Sequence, residues 1–100
     1  MIKLKTKYDP VFEHHKQSDY TSMNAWRFRF DNGYGASVVF HEIRGIICSY
    51  GNEQAPFELA VIRYENELPV IDYSTPVADD VVGYLTEKEV EDYLSRIEQL

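Results

Sequence analysis

The sequence predicts an α+β fold: an antiparallel β-meander of four or five strands with a C-terminal helix packed on one face. Aromatic and β-branched residues alternate with polar ones on both sides of Asn32-Gly33, as in a hairpin. Two further apolar segments flank the polar residues 65–67, and an apolar stripe with helical spacing ends the chain. A chain of 100 residues fits one domain, 1–100.

The first 22 residues predict a strand followed by an irregular segment. Ile2, Leu4, Thr6 and Tyr8 alternate with three lysines, which is typical of a strand with one solvated face at a sheet edge. Asp9-Pro10 interrupts this pattern because proline lacks an amide donor. Residues 9–22 are polar and show no periodicity, so we expect a flexible loop or a single helical turn there.

The central segments predict the rest of the sheet. Trp26, Phe28 and Phe30 begin an aromatic hairpin that continues after Asn32-Gly33 to His41. The apolar residues 46–48 either end that strand after a bulge or form a short strand of their own. Residues 57–64 and 68–73 predict two further strands. Because Pro69 has no amide proton, the second strand is expected to begin there or to lie at an edge of the sheet.

The C-terminal segment predicts the helix. Thr86 and Glu89 have the spacing of a capping box, in which each side chain binds the other residue's amide. Before the helix, Asp79 to Gly83 predicts a short helical turn with Asp79 as its N-cap. The apolar stripe that follows the cap has i, i+3, i+4, i+7 spacing and consists of Val90, Tyr93, Leu94 and Ile97.

The charge is unevenly distributed along the chain. The net charge is −7; residues 1–50 hold seven Lys/Arg and five Asp/Glu, and residues 51–100 hold three and twelve. Such an acidic half repels phosphate backbones, so we expect no direct nucleic-acid binding. It indicates either a surface that only keeps the protein solvated or one that docks on a basic partner.

Length and composition exclude several other classes of protein. No apolar run approaches the roughly 18–20 residues that cross a bilayer, so no membrane association is expected. The N-terminus lacks the apolar core of a secretory signal. Cys48 is the single cysteine, which rules out an internal disulfide and fits a reducing compartment. The sequence therefore predicts a soluble cytoplasmic protein.

Four short motifs follow one another in the second to fourth quarters of the chain: NGYGASVV at 32–39, SYG at 49–51, FELAV at 57–61 and TPVADDVVGYL at 75–85. In their order the chain resembles small uncharacterised proteins of tailed bacteriophages, over about residues 24–100. This resemblance implies a phage-encoded protein that acts in the cytoplasm of the bacterial host, but it carries no activity and no functional residues.

Three groups of residues were candidates for chemistry, and none has a supporting pattern. The adjacent His14 and His15 would point to opposite faces of a strand and lack the paired spacing of a zinc site. A nucleophilic pair of Cys48 and His41 lacks an orienting group, and Cys48 is expected to be a small buried apolar residue. We therefore expect no enzyme, no metal and no cofactor. The third group is Asp79 and Asp80 with the nearby Asp72, which could bind Mg²⁺ or act in acid–base chemistry. Structural roles are expected instead, with Asp79 as an N-cap and Asp80 in a first helical turn.

Surface aromatic and charged residues favour an interaction protein. Eight tyrosines exceed what one helix can cover, and tyrosine and arginine are enriched in interfaces. We expect the protein to bind and modulate a host protein with a basic surface, such as a defence or nucleic-acid-handling complex. The alternative is a structural component of the virion or of its assembly, through pairing of the sheet edge at Ile2–Tyr8 or Leu68–Tyr73 with a copy of itself. The expected partner-binding residues are Arg27, Arg29, Tyr34, Tyr50, Tyr64, Glu65, Glu67 and Asp72.

Overall fold

The computed structural model describes residues 3–100 and confirms the predicted fold class: a curled antiparallel sheet with one C-terminal helix packed against it. Five strands follow the order β1-β2-β3-β5-β6, while β4 pairs with β3 and β7 pairs with β5. The elements are β1 (Phe12–Gln17), β2 (Thr21–Arg29), β3 (Tyr34–Ile43), β4 (Ile46–Ile47), β5 (Phe57–Glu65), β6 (Leu68–Ile71), β7 (Val82–Leu85) and α1 (Glu87–Glu98).

The aromatic hairpin is present as predicted and forms the centre of the sheet. Trp26 lies opposite Val38 and Phe28 opposite Ala36, so their side chains share the face that the helix covers. The turn uses Gly33 with a φ of 85°, a conformation that glycine adopts without steric cost. β2 starts at Thr21, before the aromatic residues begin, because backbone pairing with β3 extends beyond the alternating pattern.

The core lies between the sheet and α1. Val90, Leu94 and Ile97 are all 0% exposed, which confirms the predicted apolar stripe, and Tyr93 packs against the same cluster while half-buried. The capping box is also confirmed, since Glu89 N donates to Thr86 Oγ1 at 3.2 Å and Thr86 N to Glu89 Oε1 at 3.0 Å. The sheet residues of this cluster are Trp26, Phe28, Ala36, Val38, Phe40, Phe57, Leu59, Val61 and Leu85.

The predicted N-terminal strand is wrong over residues 3–8, and Ile2 lies outside the described residues. This segment runs beside α1 instead of pairing with the sheet: Lys5 N donates to Glu87 Oε2 at 2.6 Å and Lys7 N to Glu91 Oε2 at 2.7 Å. The alternation of apolar residues and lysines indicates an extended backbone with one buried side. The backbone amides, however, donate to carboxylates of the helix and not to carbonyl groups of a neighbouring strand.

The predicted loop over residues 9–22 is also wrong in part, because Phe12–Gln17 forms β1. Five of its six residues are exposed, so no alternation of apolar and polar side chains marks the strand. β1 is held by backbone pairing with β2, in a register from Phe12 opposite Arg27 to Gln17 opposite Ser22. An edge strand of this kind lacks the periodicity that reveals half-buried strands.

Two other local predictions change near the C-terminal half. The expected helical turn at Asp79–Gly83 is wrong: the chain is extended at Val82–Leu85 and pairs with β5, with Phe57 opposite Leu85. Leu85 is buried in the core, and this burial together with sheet pairing outweighs the helical capping signal. Ile46–Ile47 is the short separate strand that was one of two alternatives, and β6 lies at an edge as Pro69 predicted.

Candidate functional site

The face of the sheet opposite the helix is a surface on which several of the expected binding residues meet. We call it the helix-free face. Because side chains alternate along a strand, the residues between the core positions all point to this side. It is formed by Phe12, His14 and Lys16 of β1, Ala25, Arg27 and Arg29 of β2, Ser37 and Val39 of β3, Glu58, Ala60, Ile62 and Tyr64 of β5, and Pro69 and Ile71 of β6.

A groove of about 260 Å³ crosses this face. Its floor is apolar and well shielded, with Ala60 8% and Ile62 2% exposed although the helix lies on the other side of the sheet. Polar side chains stand at its rim. Such a combination of apolar floor and few polar groups is typical of binding sites. The lining residues are Arg27, Ser37, Val39, Glu58, Ala60, Ile62, Pro69, Ile71 and Val81.

Two arginines on β2 stack on aromatic rings, one on the neighbouring β1 and one on β5, the strand beyond β3. The guanidinium carbon of Arg27 lies 4.6 Å from the Phe12 ring centre, and that of Arg29 lies 4.5 Å from the Tyr64 ring centre. The first contact follows from the register, since Phe12 and Arg27 are cross-strand partners. Cation–π contacts of this geometry order both side chains before any partner arrives.

Glu67 holds the second arginine through a two-pronged ion pair. Arg29 Nη1 and Nη2 donate to the two carboxylate oxygens at 2.5 and 3.1 Å. These hydrogen bonds raise the pKa of Arg29 and lower the pKa of Glu67. The carboxylate is 79% exposed in its side chain, so the pair fixes the orientation of Arg29 more than it stabilises the fold.

Tyr64 is half-buried between the arginine and the groove. Burial raises the pKa of its phenol, while the charges of Arg27 and Arg29 act in the opposite direction. Its hydroxyl oxygen is shielded from solvent and has no hydrogen-bond partner within residues 3–100. Tyr64 therefore presents its ring to Arg29 and stays protonated near neutral pH.

The structure brings four of the eight expected binding residues together: Arg27, Arg29, Tyr64 and Glu67. Glu65 lies beside this group, where its carboxylate accepts two hydrogen bonds from Arg63.

The remaining three expected residues lie elsewhere. Tyr34 packs against the core while half-buried. Tyr50 is 60% exposed but lies beside the start of β5, where its amide donates to Glu58 Oε1 at 2.9 Å, whereas Tyr64 lies near the end of that strand.

Asp72 is a correction to the expected surface carboxylates, because it is only 6% exposed. Ser74 donates to Asp72 Oδ1 from its backbone at 2.8 Å and from its hydroxyl at 2.5 Å, and these bonds hold the pKa of Asp72 below its ordinary value. Arg63 lies 3.5 Å from the other carboxylate oxygen. Asp72 is therefore a structural residue that orders the chain after β6.

Cys48 and His41 are neighbours, and Cys48 differs from the expectation in its burial. Cys48 N donates to His41 O at 2.9 Å, and Cys48 is exposed instead of buried. His41 Nδ1 accepts a hydrogen bond from Asn24 N at 3.2 Å. Sequence reasoning expected burial because two isoleucines precede the cysteine, but β4 ends at Ile47 and the chain turns outward.

A polar cluster around His15 was missed by the sequence analysis. Asn24 Nδ2 donates to Phe40 O at 3.0 Å and Ser22 Oγ at 3.1 Å, so its Oδ1 accepts from His15 Nδ1 at 2.7 Å. His15 Nε2 lies 2.8 Å from Glu13 Oε1 and therefore donates as well.

Both ring nitrogens donate at once only when His15 is protonated, so this arrangement favours the imidazolium form. The hydrogen bond to Asn24, followed by that to Glu13, raises the pKa of His15. The hydrogen bond from His15 lowers the pKa of Glu13, to which Trp26 Nε1 also donates at 3.1 Å. Glu13 and His15 are two residues apart, a spacing that places both on one face of a strand, but no signal in the sequence marked this segment as a strand.

Most acidic groups of the second half accept hydrogen bonds within the chain. At least ten of the twelve carboxylates in residues 51–100 do so, about half of them from residues no more than four positions away. Three of them bind residues 5–8, which lie along α1. The N-terminal segment thus binds the acidic helix through its backbone amides and the Tyr8 hydroxyl.

Searches of the structure and comparisons with known proteins add no chemistry to this surface. Within residues 3–100, no group of three or more His, Cys, Asp or Glu side chains is arranged to hold a metal ion. No helix in the same range is long and apolar enough to cross a membrane. No protein-family model, curated protein or solved structure matches the chain.

Proposed function

We propose that this chain is a small acidic phage-type protein that binds a host protein and modulates it, for example in a defence or nucleic-acid-handling complex. It acts by binding instead of catalysis, in the cytoplasm of the bacterial host. The observation that carries the proposal is the helix-free face, where Arg27 and Arg29 stack on aromatic rings beside an apolar groove of about 260 Å³.

The composition of this face supports protein recognition. Arginine and tyrosine dominate the binding energy of protein interfaces, and they do so next to pockets from which water is excluded. Here the two arginines are already ordered by Phe12, Tyr64 and Glu67, so little side-chain entropy is lost on binding. A partner that inserts an apolar side chain between them would displace water from the floor at Ile62.

The charge of the whole molecule supports a partner with a basic surface. The net charge of −7 accelerates the encounter with a positively charged protein through long-range attraction. Glu58, a carboxylate that lines the groove, is a candidate contact for a basic group of the partner. Binding therefore weakens as the salt concentration rises.

Affinity capture with matched charge variants tests the proposal. The tagged chain is incubated with lysates of host bacteria before and after phage infection, beside an Arg27→Ala/Arg29→Ala variant. The control, Arg44→Ala/Lys88→Ala, removes the same charge from exposed positions away from the groove. We expect the parent and the control to retain one stoichiometric partner and the arginine variant to lose it.

The purified partner then gives the quantitative test. Calorimetry of the parent, the control and the arginine variant should show a loss of affinity of about tenfold or more only for the arginine variant, since each hot-spot side chain contributes at least about 1 kcal/mol. Equal affinity of all three proteins would move the interface away from the helix-free face. Clean eluates from every host, infected or not, would refute binding to a host protein.

The two open edges of the sheet favour a second candidate function, a structural component of the virion or its assembly. β1 and β6 both end the strand order and can accept a further strand. The edge expected at residues 2–8 is replaced by β1, whereas the one expected at Leu68–Tyr73 is present as β6. Mass spectrometry of purified particles decides this: many copies per particle support the structural role, and absence supports the regulatory one.

A further inference from the structure

The outer edge of β1 carries a row of backbone groups that point away from the sheet. Ser18 N donates to Thr21 O at 2.9 Å, in the register that continues through the whole β1–β2 pair. Because bonded and non-bonded positions alternate in an antiparallel pair, the even-numbered residues of β1 bind β2. The amides and carbonyls of Glu13, His15 and Gln17 therefore face outward, and no described residue is hydrogen-bonded to them.

The opposite edge of the sheet offers much less. Asp72 N donates to Val61 O at 2.9 Å, so by the same alternation the outward positions of β6 are Pro69 and Ile71. Proline has no amide proton, which leaves Ile71 as the outward donor in this strand. β1 offers three outward donors against one in β6, and it is the edge suited to accepting another strand.

We infer that β1 pairs with β1 of a second copy of this chain, antiparallel and centred on His14, so that one continuous sheet runs through a twofold-symmetric dimer. In a continuous sheet, residues directly opposite each other point to the same face. This register places Glu13 opposite His15 of the second copy, and Phe12 opposite its Lys16. His14 lies opposite its own copy on the symmetry axis.

Charge complementarity favours this register. Glu13 and His15 form an ion pair within one chain, and in the dimer the two pairs make an alternating group of four charges. Lys16 of the second copy reaches the Phe12 ring, which lies beside the stacked imidazole of His14. The nearest alternative, centred on His15, would place the imidazolium of His15 opposite its own copy, and like charges directly opposite each other are destabilising.

Cysteine cross-linking tests both the dimer and its register. The single native cysteine is exposed, so the variants carry Cys48→Ser to prevent other disulfides. His14 lies at a position that is not hydrogen-bonded to the second copy, where Cα atoms approach to about 4.5 Å, within the range a disulfide spans. His14→Cys should therefore give a covalent dimer under mild oxidation. Lys16→Cys is the control. Residue 16 lies on the same face of β1 but opposite Phe12 of the other copy, so this variant should give no covalent dimer.

Sedimentation equilibrium of the unmodified chain under reducing conditions provides the non-covalent measurement. We expect the average mass to rise towards twice 11.7 kDa as the protein concentration increases. Glu13→Pro should lower this association while circular dichroism stays unchanged, because the amide it removes points outward to His15 of the second copy and not to β2. A monomer at every concentration, or equal cross-linking of the His14→Cys and Lys16→Cys variants, would overturn the inference.

Discussion

The side chain of Asn32, in the turn between β2 and β3, closes the C-terminal end of α1. Its Nδ2 donates to Ile97 O at 2.9 Å and to Glu98 O at 3.2 Å, while its Oδ1 accepts from Tyr34 N at 3.0 Å. One residue thus shapes the hairpin turn and adds a donor to the last carbonyl groups of the helix, where Ile97 O also accepts from Leu100 N at 3.1 Å. The turn and the helix end are 65 residues apart in the chain.

Replacing this amide should destabilise the protein in a graded way. Asn32→Ala removes the donor and should cost about 1 kcal/mol of unfolding free energy. Asn32→Asp also places a negative charge at the negative end of the helix dipole and should cost about 2 kcal/mol. Urea denaturation measures both. Gln99→Glu is the control: it adds the same charge there but keeps the Asn32 amide, so it should cost less than Asn32→Asp.

The docking of α1 should provide a large share of the stability. Leu94 is 0% exposed, and Leu94→Ala should cost about 2–4 kcal/mol through lost burial and a cavity. Thr86→Ala removes one half of the capping box and should cost only about 1 kcal/mol. Urea melts of both variants check the ratio. An Leu94→Ala protein that melts like the parent would show that the helix is not docked on the sheet.

Two glycines of the hairpin should respond to alanine for different reasons. A Cβ at Gly35 would overlap the carbonyl oxygen of Phe28 on the neighbouring strand, so Gly35→Ala should cost about 3 kcal/mol or more or prevent folding. A Cβ at Gly33 would meet nothing within 4 Å, and only its φ of 85° opposes alanine, at about 1 kcal/mol. Thermal unfolding of both variants measures the difference, and equal effects would contradict the close approach at Gly35.

The ion pair of His15 and Glu13 should make stability depend on pH. The pKa of His15 is raised above its ordinary 6.5, so its contribution is complete below that value and is lost as the pH rises through the folded pKa. The pKa of Glu13 is lowered below its ordinary 4.5, so its contribution is complete above that value and is lost as the pH falls further. Both contributions are therefore present between about pH 4.5 and 6.5.

The neutral variant His15→Gln isolates the histidine part of this effect. Unfolding free energies of the parent and the variant are measured in urea from pH 5 to 9. The parent should lose stability relative to the variant as the pH rises above 6.5, because only the parent loses an imidazolium. Parallel curves would mean that His15 is not held in its charged form by Asn24 and Glu13.

The sequence by itself determined the elements whose signals are local. Asn32-Gly33 favours a tight hairpin turn because of its backbone conformation, whichever strands surround it. The Thr86–Glu89 box and the stripe of Val90, Leu94 and Ile97 mark the helix within a few turns of chain. These patterns were sufficient for the fold class, and the structure confirms each of them.

Only the tertiary structure decided which distant segments supply the remaining hydrogen bonds and burial. Residues 3–8 and β1 are both extended, but one lies along helix carboxylates and the other along β2, a choice that depends on acceptors far away in sequence. The candidate site also depends on contacts between segments that are distant in the sequence. Arg29 and Glu67 are 38 residues apart and meet because the register of β2, β3 and β5 brings them together, and a short-range pattern contains no information about that register.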